Sequence, residues 1–172
     1  LKVLYIGGTG EISFDCIHES VRAGHETCVF NRGNANDGLP DAVRFLKGDI
    51  NDGQDYGRLA NEGFDVICQF RAYTPEDVAR DIELFGGKIG QYVFISSASA
   101  YQKPLRCHII TEDVPLENPY WEYSRLKAEA ETVLTGQDSL RHTIVRPSHT
   151  FRTQPPYAVG DAATVLRRML AG

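Results

Sequence analysis

The sequence has few of the features that mark secreted, membrane-spanning or nucleic-acid-binding proteins. Its four cysteines and five histidines show neither C-x-x-C pairing nor the spacing of metal ligands. No stretch approaches the ~18 apolar residues of a membrane span, and no signal-peptide pattern opens the chain. Lys and Arg number 18 against 23 Asp and Glu, a net charge of −5, without any basic run. We therefore predict a cytoplasmic protein without a metal site, a membrane span or a nucleic-acid partner.

The chain is short and moderately apolar. With 172 residues, of which 42% are hydrophobic, it can bury one sizeable core, and we expect a single domain. Three of the cysteines, Cys16, Cys28 and Cys68, fall in apolar helix or strand patterns, so we interpret them as reduced core residues; the fourth is Cys107. Because the first residue is Leu1 rather than Met, we also expect that the chain is trimmed.

The first residues predict a strand, a glycine turn and a helix. Val3 to Ile6 are four apolar residues without alternation, as is typical of a strand that is covered on both faces. Gly7, Gly8 and Gly10 let the backbone turn sharply and approach a ligand closely. The next helix points its free N–H groups at that ligand, and a phosphate suits them. The alternative is a glycine turn that binds nothing.

The helix is predicted to run to about Ala23, and the next strand, residues 27–30, completes a β-α-β unit of the length expected for a dinucleotide site. One face of this helix carries residues at buried-face spacing, namely Ile12, Cys16, Ile17 and Val21. Ser13 stands where Gly or Ala usually lets the helix pack closely on the strand. It is still small, but it adds a hydroxyl group.

Two positions at strand ends point to a dinucleotide. NAD-binding folds commonly place an acid after the second strand, but this chain has Asn31 and Arg32 there. Arg can pair with a 2′-phosphate, so NADP is favoured over NAD, unless these residues form only a polar turn. Asp49 follows the third strand, residues 43–46, where it could accept a hydrogen bond from an adenine amino group. It could equally cap a short helix near residues 55–60.

The rest of the chain alternates strands and helices, which predicts right-handed crossovers and a doubly wound parallel sheet, an α/β fold. Thr74 caps a helix that has Pro75 at its first position and ends near Phe85. A second helix is predicted to open at Asn118-Pro119, and Trp121 is interpreted as a packing anchor. The buried stripe of that helix comprises Leu126, Ala130, Val133 and Leu134. The remaining predicted elements are strands over residues 64–70, 92–95 and 142–145 and an amphipathic helix over residues 161–170, with Val165, Leu166, Met169 and Leu170 on its apolar side.

Three side chains form a candidate hydride-transfer site. Tyr123 and Lys127 are four residues apart and share one helix face. A phenol with a pKa near ~10 is a poor base, and a neighbouring ammonium group favours its phenolate form. Ser97, at the tip of the fifth strand, would project into the same crevice and orient the substrate, while Tyr123 moves the proton and Lys127 holds the nicotinamide ribose. Taken singly, such serines and Tyr–Lys pairs are more often structural.

Five segments, taken together, match one family in order: Gly7 to Ser13, Gly48 to Ile50, Ile95 to Tyr101, Tyr123 to Lys127 and Val145 to Pro147. On these segments the chain resembles the extended short-chain dehydrogenase/reductases, specifically the NAD(P)-dependent nucleotide-sugar epimerase and dehydratase group. The resemblance implies a Rossmann-like fold over residues 1–150, the start of a largely absent C-terminal substrate domain over residues 151–172, a nucleotide-sugar substrate and pairing into a homodimer. It also implies catalytic roles for Ser97, Tyr123 and Lys127.

The predicted cofactor-binding residues combine these arguments, and no metal is expected. They are Gly7, Gly10, Glu11, Ile12, Asn31, Arg32, Asp49, Ile50, Phe70, Arg71, Ala72, Tyr123, Lys127 and Pro147.

The chain also departs from the family pattern. Ser13 replaces the last glycine, Asn31 replaces the usual acid, and Arg71 stands where a small residue is normal near the nicotinamide. The segments at residues 31–33 and 72–77 look like a divergent branch that includes chloroplast stem-loop RNA-binding proteins. A non-catalytic NADP(H) sensor or RNA binder is therefore the alternative to an epimerase, dehydratase or reductase. The intact Ser–Tyr–Lys set argues against a sensor, and the acidic balance disfavours RNA.

Overall fold

The computed structural model describes residues 1–34, 38–150 and 162–171, with side chains in the last range from residue 167 onward. The strands are β1 (Lys2–Ile6), β2 (Glu26–Asn31), β3 (Arg44–Lys47), β4 (Val66–Gln69), β5 (Gln91–Ile95) and β6 (His142–Val145). The helices are α1 (Ser13–Arg22), α2 (Gly53–Gly57), α3 (Pro75–Phe85), α4 (Glu122–Thr135) and α5 (Ala162–Ala171), and short 3-10 turns occupy Arg58–Asn61 and Ala98–Ala100.

The six strands form one parallel sheet in the order β3-β2-β1-β4-β5-β6. This order confirms the predicted doubly wound, Rossmann-like sheet. From β1 the chain builds outward to β3, then returns and builds outward on the other side from β4 to β6. The direction reverses between β1 and β4, and in such sheets ligands bind in the crevice beyond the carboxyl ends of the strands at that point.

Alternate residues of the central strands pack on opposite faces of the sheet. On one face, Val3 and Tyr5 pack with Ile17 of α1. On the other, Leu4 and Ile6 belong to a larger cluster that includes apolar residues of α2, α3 and α4. Because both faces are covered, the central strands can be continuously apolar, as the sequence of β1 indicated.

The predicted start of α3 is confirmed, whereas that of α4 is not. Thr74 caps α3 through its side chain in a reciprocal capping box with Asp77, and Pro75 opens the helix. Helix α4 begins at Glu122, later than the predicted Asn118-Pro119. The Asn118 side chain instead ties the preceding loop together, because its Nδ2 donates to the Ser99 carbonyl at 2.7 Å and its Oδ1 accepts from the Tyr120 amide at 3.1 Å.

The predicted buried face of α1 is confirmed at Ile17, which is buried, and at Val21, which packs against the core, but it was wrong at Cys16. The buried residues are Ser13, Ile17 and Ser20, whereas Cys16 is exposed. The helix lies so close to the sheet that a Cβ on Gly8 would come within 2.7 Å of the Ile17 side chain. The small side chains of Ser13 and Ser20 are buried on the same face as Ile17, and Cys16 is rotated about 100° away from Ile17.

The interpretation of the other cysteines was correct in part. All four are free thiols, of which Cys28 is buried, Cys68 is half-buried and Cys107 is exposed. Burial raises the pKa of the Cys68 thiol to about 12. The core interpretation is therefore confirmed for Cys28 and wrong for Cys16.

The buried stripe of α4 is more polar than predicted. Ala130 and Leu134 are buried as expected, but Ser124, Lys127 and Glu131 share their face, and Leu126 and Val133 are only half-buried. Packing of polar side chains decides the orientation of this helix, which an apolar spacing rule cannot detect.

Trp121 was wrongly interpreted as a packing anchor, because 54% of its surface is exposed. Helix α5 agrees with the predicted helix to within a residue, and its Met169 and Leu170 are exposed. Its first predicted residue, Asp161, lies outside the described residues, as does the preceding segment from residue 151. No helix in the described part of the chain has the length and apolar content needed to cross a membrane.

Candidate active site

The glycine turn between β1 and α1 requires glycine at two positions. Gly7 has a φ of +82°, a conformation that L side chains rarely adopt, and its amide donates to the Phe30 carbonyl of β2 at 3.1 Å. A Cβ on Gly8 would lie 2.9 Å from Val29 as well as close to Ile17. These contacts hold β1, α1 and β2 close together at the carboxyl edge of the sheet.

Ser13 closes this turn through its hydroxyl group, which is buried. Its Oγ accepts from the Gly10 amide at 3.0 Å. The same hydroxyl is placed to donate to the Gly7 carbonyl, with an Oγ–O distance of 3.0 Å, or to the Gly10 carbonyl, at 3.3 Å. The departure from the usual glycine therefore has a structural use. It also engages one N–H group of the turn internally.

A cavity of about 430 Å³ lies at this turn, in the crevice between the carboxyl ends of β1 to β4. It is lined by ten of the predicted cofactor residues: Gly7, Gly10, Glu11, Ile12, Asn31, Arg32, Asp49, Ile50, Phe70 and Arg71. Further lining residues that the sequence did not identify include Thr9, Ser13, Asn34, Gly48, Asn51 and Tyr73. Ala72, Tyr123, Lys127 and Pro147 are not part of this lining.

Asn31 and Arg32 behave differently at the end of β2. Asn31 is half-buried, and its Oδ1 accepts from the Gly33 amide at 2.7 Å, which is the polar turn that the sequence left open. Arg32 is exposed and is one of the residues that line the cavity. The polar turn and a place at the cavity are thus compatible, since the Asn31 side chain shapes the loop and both residues line the cavity.

Asp49 also lines the cavity, and one of its two predicted roles was wrong. Helix α2 is capped by Asp52, whose Oδ1 accepts from the amides of Gln54 and Asp55 at 2.8 and 3.0 Å. Asp49 accepts from the Asn51 amide at 2.9 Å and so fixes its own loop. Its contact with an adenine amino group stays a prediction.

A buried polar cluster, formed by Gln69, Asp81, Tyr56 and Tyr92, holds the segment that follows β4. Gln69 Oε1 accepts from the Arg71 amide at 2.8 Å, and Gln69 Nε2 donates to Asp81 at 2.6 Å. Asp81 is completely buried and also accepts from the hydroxyls of Tyr56 and Tyr92, at 2.7 and 2.6 Å. Burial is the main influence on the Asp81 carboxyl and raises its pKa. The sequence patterns that predicted the strands and helices gave no sign of this cluster.

The structure brings the three predicted reacting groups together beside the cavity. Ser97 lies near enough to Tyr123 to exert a lowering influence on the pKa of its phenol. Ser97 Oγ also lies 2.8 Å from Ser99 Oγ, to which Ser124 Oγ donates at 2.8 Å. Tyr73, a residue that sequence reasoning missed, has its ring centroid 6.3 Å from that of Tyr123. Its position just after a strand end was the available signal.

Lys127 is buried beneath these groups. Its Nζ donates to the carbonyls of Ala72 at 2.6 Å and Ile95 at 2.7 Å. It also lies over aromatic rings, 4.7 Å from the centroid of Phe94 and 5.8 Å from that of Tyr123. Burial lowers the pKa of Lys127 to about 8, and the distant carboxylates of Asp77 and Glu131 oppose this only partly.

The pKa of Tyr123 does not follow the sequence-based expectation. Burial raises it above the usual value near 10, and the influence of the nearby Ser97 offsets this only in part. The Lys127 ammonium points at two backbone carbonyls rather than at the phenol oxygen. The expectation assumed that i, i+4 spacing would bring the ammonium to the hydroxyl, but the carbonyls at the strand ends compete for it.

An ion pair between Glu131 and Arg146 positions the Ser97 segment. Glu131 accepts from Arg146 through both carboxylate oxygens, at 2.6 to 3.1 Å, and from the Ser96 hydroxyl. The pKa of Arg146 is raised mainly by this bond. The Pro147 carbonyl accepts from the Ala98 amide at 3.0 Å, so its visible contact is with the serine loop rather than with the cavity. Glu131 follows Lys127 by four residues, which was the signal for it.

Across the residues whose side chains are described, no group of three His, Cys, Asp or Glu residues could hold a metal ion.

No protein-family model matches the chain. It is 29% identical over 169 residues to UDP-glucose 4-epimerase of Lactobacillus helveticus, a match that covers 85% of this chain and 51% of the relative. It is 32% identical over 117 residues to the chloroplast stem-loop binding protein of 41 kDa b of Arabidopsis thaliana, covering 59% of this chain and 30% of that one. The chain therefore spans about half the length of the first relative and less of the second.

The fold also matches solved structures. It aligns with the Bordetella bronchiseptica enzyme WbmG in complex with NAD and UDP at a TM-score of 0.73 and 19% identity, covering 99% of this chain and 60% of that one. This likeness extends the agreement in fold to nearly the whole chain. The chain is thus similar in sequence to a UDP-glucose 4-epimerase and similar in fold to a short-chain dehydrogenase/reductase superfamily protein, which is consistent with the resemblance that its motifs predicted.

Proposed function

We propose that the protein is an NAD(P)-dependent epimerase or dehydratase that acts on a nucleotide sugar or a similar hydroxyl-bearing substrate. The observation that carries this proposal is the placement of Ser97, Tyr123 and Lys127 side by side, next to a cavity built on a glycine turn. The alternative of a reductase that acts on a small ketone would use the same groups and differs only in its substrate.

The residues of the cavity fit the dinucleotide. The turn has no room for a side chain at Gly7 or Gly8, because a Cβ at either position would lie within 3 Å of neighbouring atoms. Two arginines, Arg32 and Arg71, are among the residues that line the cavity, and their positive charge suits an anionic ligand. A nicotinamide cofactor supplies a hydride acceptor and donor when it is bound.

The chain's own groups would handle the proton and the orientation of the substrate. Because the pKa of Tyr123 is raised, its phenol is protonated at neutral pH and is suited to donate a proton to a substrate oxygen. Ser97 lies near Tyr123 and would hold the same oxygen in line. Lys127 fixes the segments that carry these groups through the carbonyls of Ala72 and Ile95.

The nucleotide-sugar substrate is proposed from two relatives. One is named as a UDP-glucose 4-epimerase, and the other was solved with NAD and UDP. The half-exposed rings of Tyr73 and Trp121 flank Tyr123, with the Trp121 centroid 4.8 Å from that of Tyr123. Such rings offer apolar faces on which a sugar ring can pack.

The experiment that tests the proposal measures epimerisation of UDP-glucose by the whole protein and its Tyr123→Phe variant. Loss of the proton donor should lower kcat by about 10²- to 10⁴-fold while cofactor affinity stays the same. Tyr120→Phe is the matched control, since Tyr120 is 76% exposed and lies three residues away. Full activity of Tyr123→Phe would contradict the assignment.

We also propose that NADP is preferred over NAD, on the strength of Arg32 at the cavity edge, although WbmG was solved with NAD. Calorimetric titration of both cofactors into the whole protein and into an Asn31→Asp, Arg32→Ala double variant tests this. NADP⁺ should bind more tightly to the wild type, and the variant should reverse the order. Tighter binding of NAD⁺ by the wild type would refute the preference.

A second candidate function is RNA binding, which is favoured by the similarity to a chloroplast stem-loop binding protein. The net charge of −5 weighs against it, because phosphate contacts depend on cationic side chains. Gel-shift titration with a stem-loop RNA at physiological salt separates the two. Tight RNA binding combined with no affinity for either dinucleotide would favour this second function.

Four further expectations stay proposals: a dinucleotide-binding domain over residues 1–150, the start of a substrate-binding part over residues 151–172, a homodimer and a cytoplasmic location.

A further inference from the structure

The side chain of Arg71 has an unusual position. Its stem lies against the glycine turn, where a Cβ on Gly7 would come 2.3 Å from Arg71 Cγ and 2.8 Å from Cδ. The guanidinium lies beside Tyr73, donating from Nη1 to the phenol oxygen at 3.1 Å, with its carbon 5.2 Å from the ring centroid. Both residues line the cavity, so a cation stands directly over the turn.

This cation has only neutral contacts. Among the described residues no carboxylate lies within ion-pair distance of Arg71, whereas Arg146, for example, is bonded to Glu131. A guanidinium has five N–H donors, and the bond to Tyr73 engages one of them. Four donors are therefore available to a ligand in the cavity.

The backbone that carries Arg71 is held rigidly. The Arg71 amide donates to Gln69, and the completely buried Asp81 fixes the Gln69 amide in turn. The hydroxyl groups of Tyr56 and Tyr92 also donate hydrogen bonds to Asp81. A cationic side chain on such a support is placed in advance, which lowers the entropic cost of binding an anion.

Ser13 supplies the independent second observation. A phosphate at a glycine turn is normally bound by the N–H groups of that turn. Here the Gly10 amide donates to Ser13 Oγ at 3.0 Å instead. The turn has therefore lost a donor at the place where Arg71 adds several.

We propose that the Arg71 guanidinium binds the diphosphate of a dinucleotide in this cavity and takes over the contact that Ser13 removes from the Gly10 amide. The proposal rests on the proposed dinucleotide function and assigns a part of it to a side chain. It accounts jointly for two departures from the family pattern, Ser13 and Arg71.

The test compares the affinities of NAD⁺, NADP⁺ and ADP for the whole protein and for its Arg71→Ala variant, by calorimetry. Loss of a charge-assisted contact should weaken all three ligands by a similar factor, about 10- to 100-fold. Arg32→Ala should instead weaken NADP⁺ selectively, and Arg22→Ala, at an exposed site on α1, controls for the loss of a positive charge. Arg71→Lys keeps the stem and the charge but not the fork, so it should be intermediate.

Unchanged or tighter binding by Arg71→Ala would overturn the proposal, the latter because Arg71 would then obstruct the cavity. The folded state of each variant is checked by thermal unfolding, and Arg71→Lys provides a second reading if Arg71→Ala is unstable. The two proposals fail separately. If ADP binding depends on Arg71 but the protein has no activity on UDP-sugars, the role of Arg71 is supported and the proposed enzymatic function is refuted. If the protein is active but its affinity for the ligands does not depend on Arg71, the enzymatic function is supported and the role of Arg71 is refuted. Failure to bind any of the three ligands would overturn both.

Discussion

Replacing Lys127 with Met should change how the stability of the protein depends on pH. The ammonium of Lys127 is 1% exposed and donates to two backbone carbonyls. Burial lowers its pKa from 10.5 in the unfolded chain to about 8 in the folded protein. The unfolded chain therefore binds more protons between these two values, and the free energy of unfolding rises with pH across that window. The contribution is complete above the unfolded pKa and is lost as the pH falls through the folded pKa.

The size of the effect follows from linkage. Between about pH 6.5 and about pH 9.5, a single group with these two pKa values increases the free energy of unfolding by about 2 kcal/mol. Met has a similar length and no charge, so the Lys127→Met variant lacks this increase. Buried groups such as Tyr56 and Tyr92 titrate in both proteins, and their contributions cancel in the difference between the two curves.

Urea unfolding at several pH values measures this difference. From about pH 6.5 to about pH 9.5, the free energy of unfolding of the wild type should increase by about 2 kcal/mol more than that of the variant. Lys88→Met removes an exposed ammonium and controls for the loss of a lysine as such. Parallel curves for wild type and Lys127→Met would refute the reasoning, since the buried ammonium would then cost nothing to transfer from water.

Three further substitutions test the groups around the site by urea unfolding. Ser13→Ala should lower the free energy of unfolding by about 1 to 3 kcal/mol, because the Gly10 amide loses its acceptor; an unchanged midpoint would show that water replaces it. Glu131→Gln should cost about 3 to 5 kcal/mol by leaving the half-buried Arg146 without its carboxylate, and a loss below about 1 kcal/mol would contradict a buried pair. Asp81→Asn puts an amide NH₂ group among the hydrogen-bond donors of Tyr56, Gln69 and Tyr92, so it should lower the free energy of unfolding by several kcal/mol. An unchanged free energy of unfolding would show instead that the Asp81 carboxyl is neutral and already donates a hydrogen bond.

Much of the fold was predictable because its signals are local. The apolar run of β1, the capping residues Thr74 and Pro75 and the glycine turn each depend on neighbouring residues, and each lies where the sequence indicated. The start of α4 was not predictable in this way. Asn118 is a good capping residue, but a carbonyl 19 residues earlier in the chain, that of Ser99, binds its side chain instead.

Part of the candidate site was predictable from the sequence, but its electrostatic arrangement was not. Ten of the predicted cofactor residues line the cavity at the glycine turn, and Lys127 lies beside Tyr123 as their spacing indicated. Neither of these two residues lines that cavity, and the Lys127 ammonium is bound by carbonyls that belong to two other segments. Asp81 lies on the buried face of α3, between Val78 and Phe85. Its three donors come from α2, β4 and β5, and no sequence pattern joins them.

The Lys127 ammonium joins three parts of the molecule at one atom. Its two carbonyl partners, Ala72 and Ile95, lie just beyond β4 and at the end of β5, while the lysine itself belongs to α4. The spacing between the cavity wall and the Ser97 loop is thus set by a side chain of the proposed catalytic set. A loss of activity after substitution of Lys127 will therefore combine altered chemistry with an altered width of the crevice. The Tyr123 hydroxyl makes no bond to these two carbonyls, so removing it leaves the width of the crevice to Lys127.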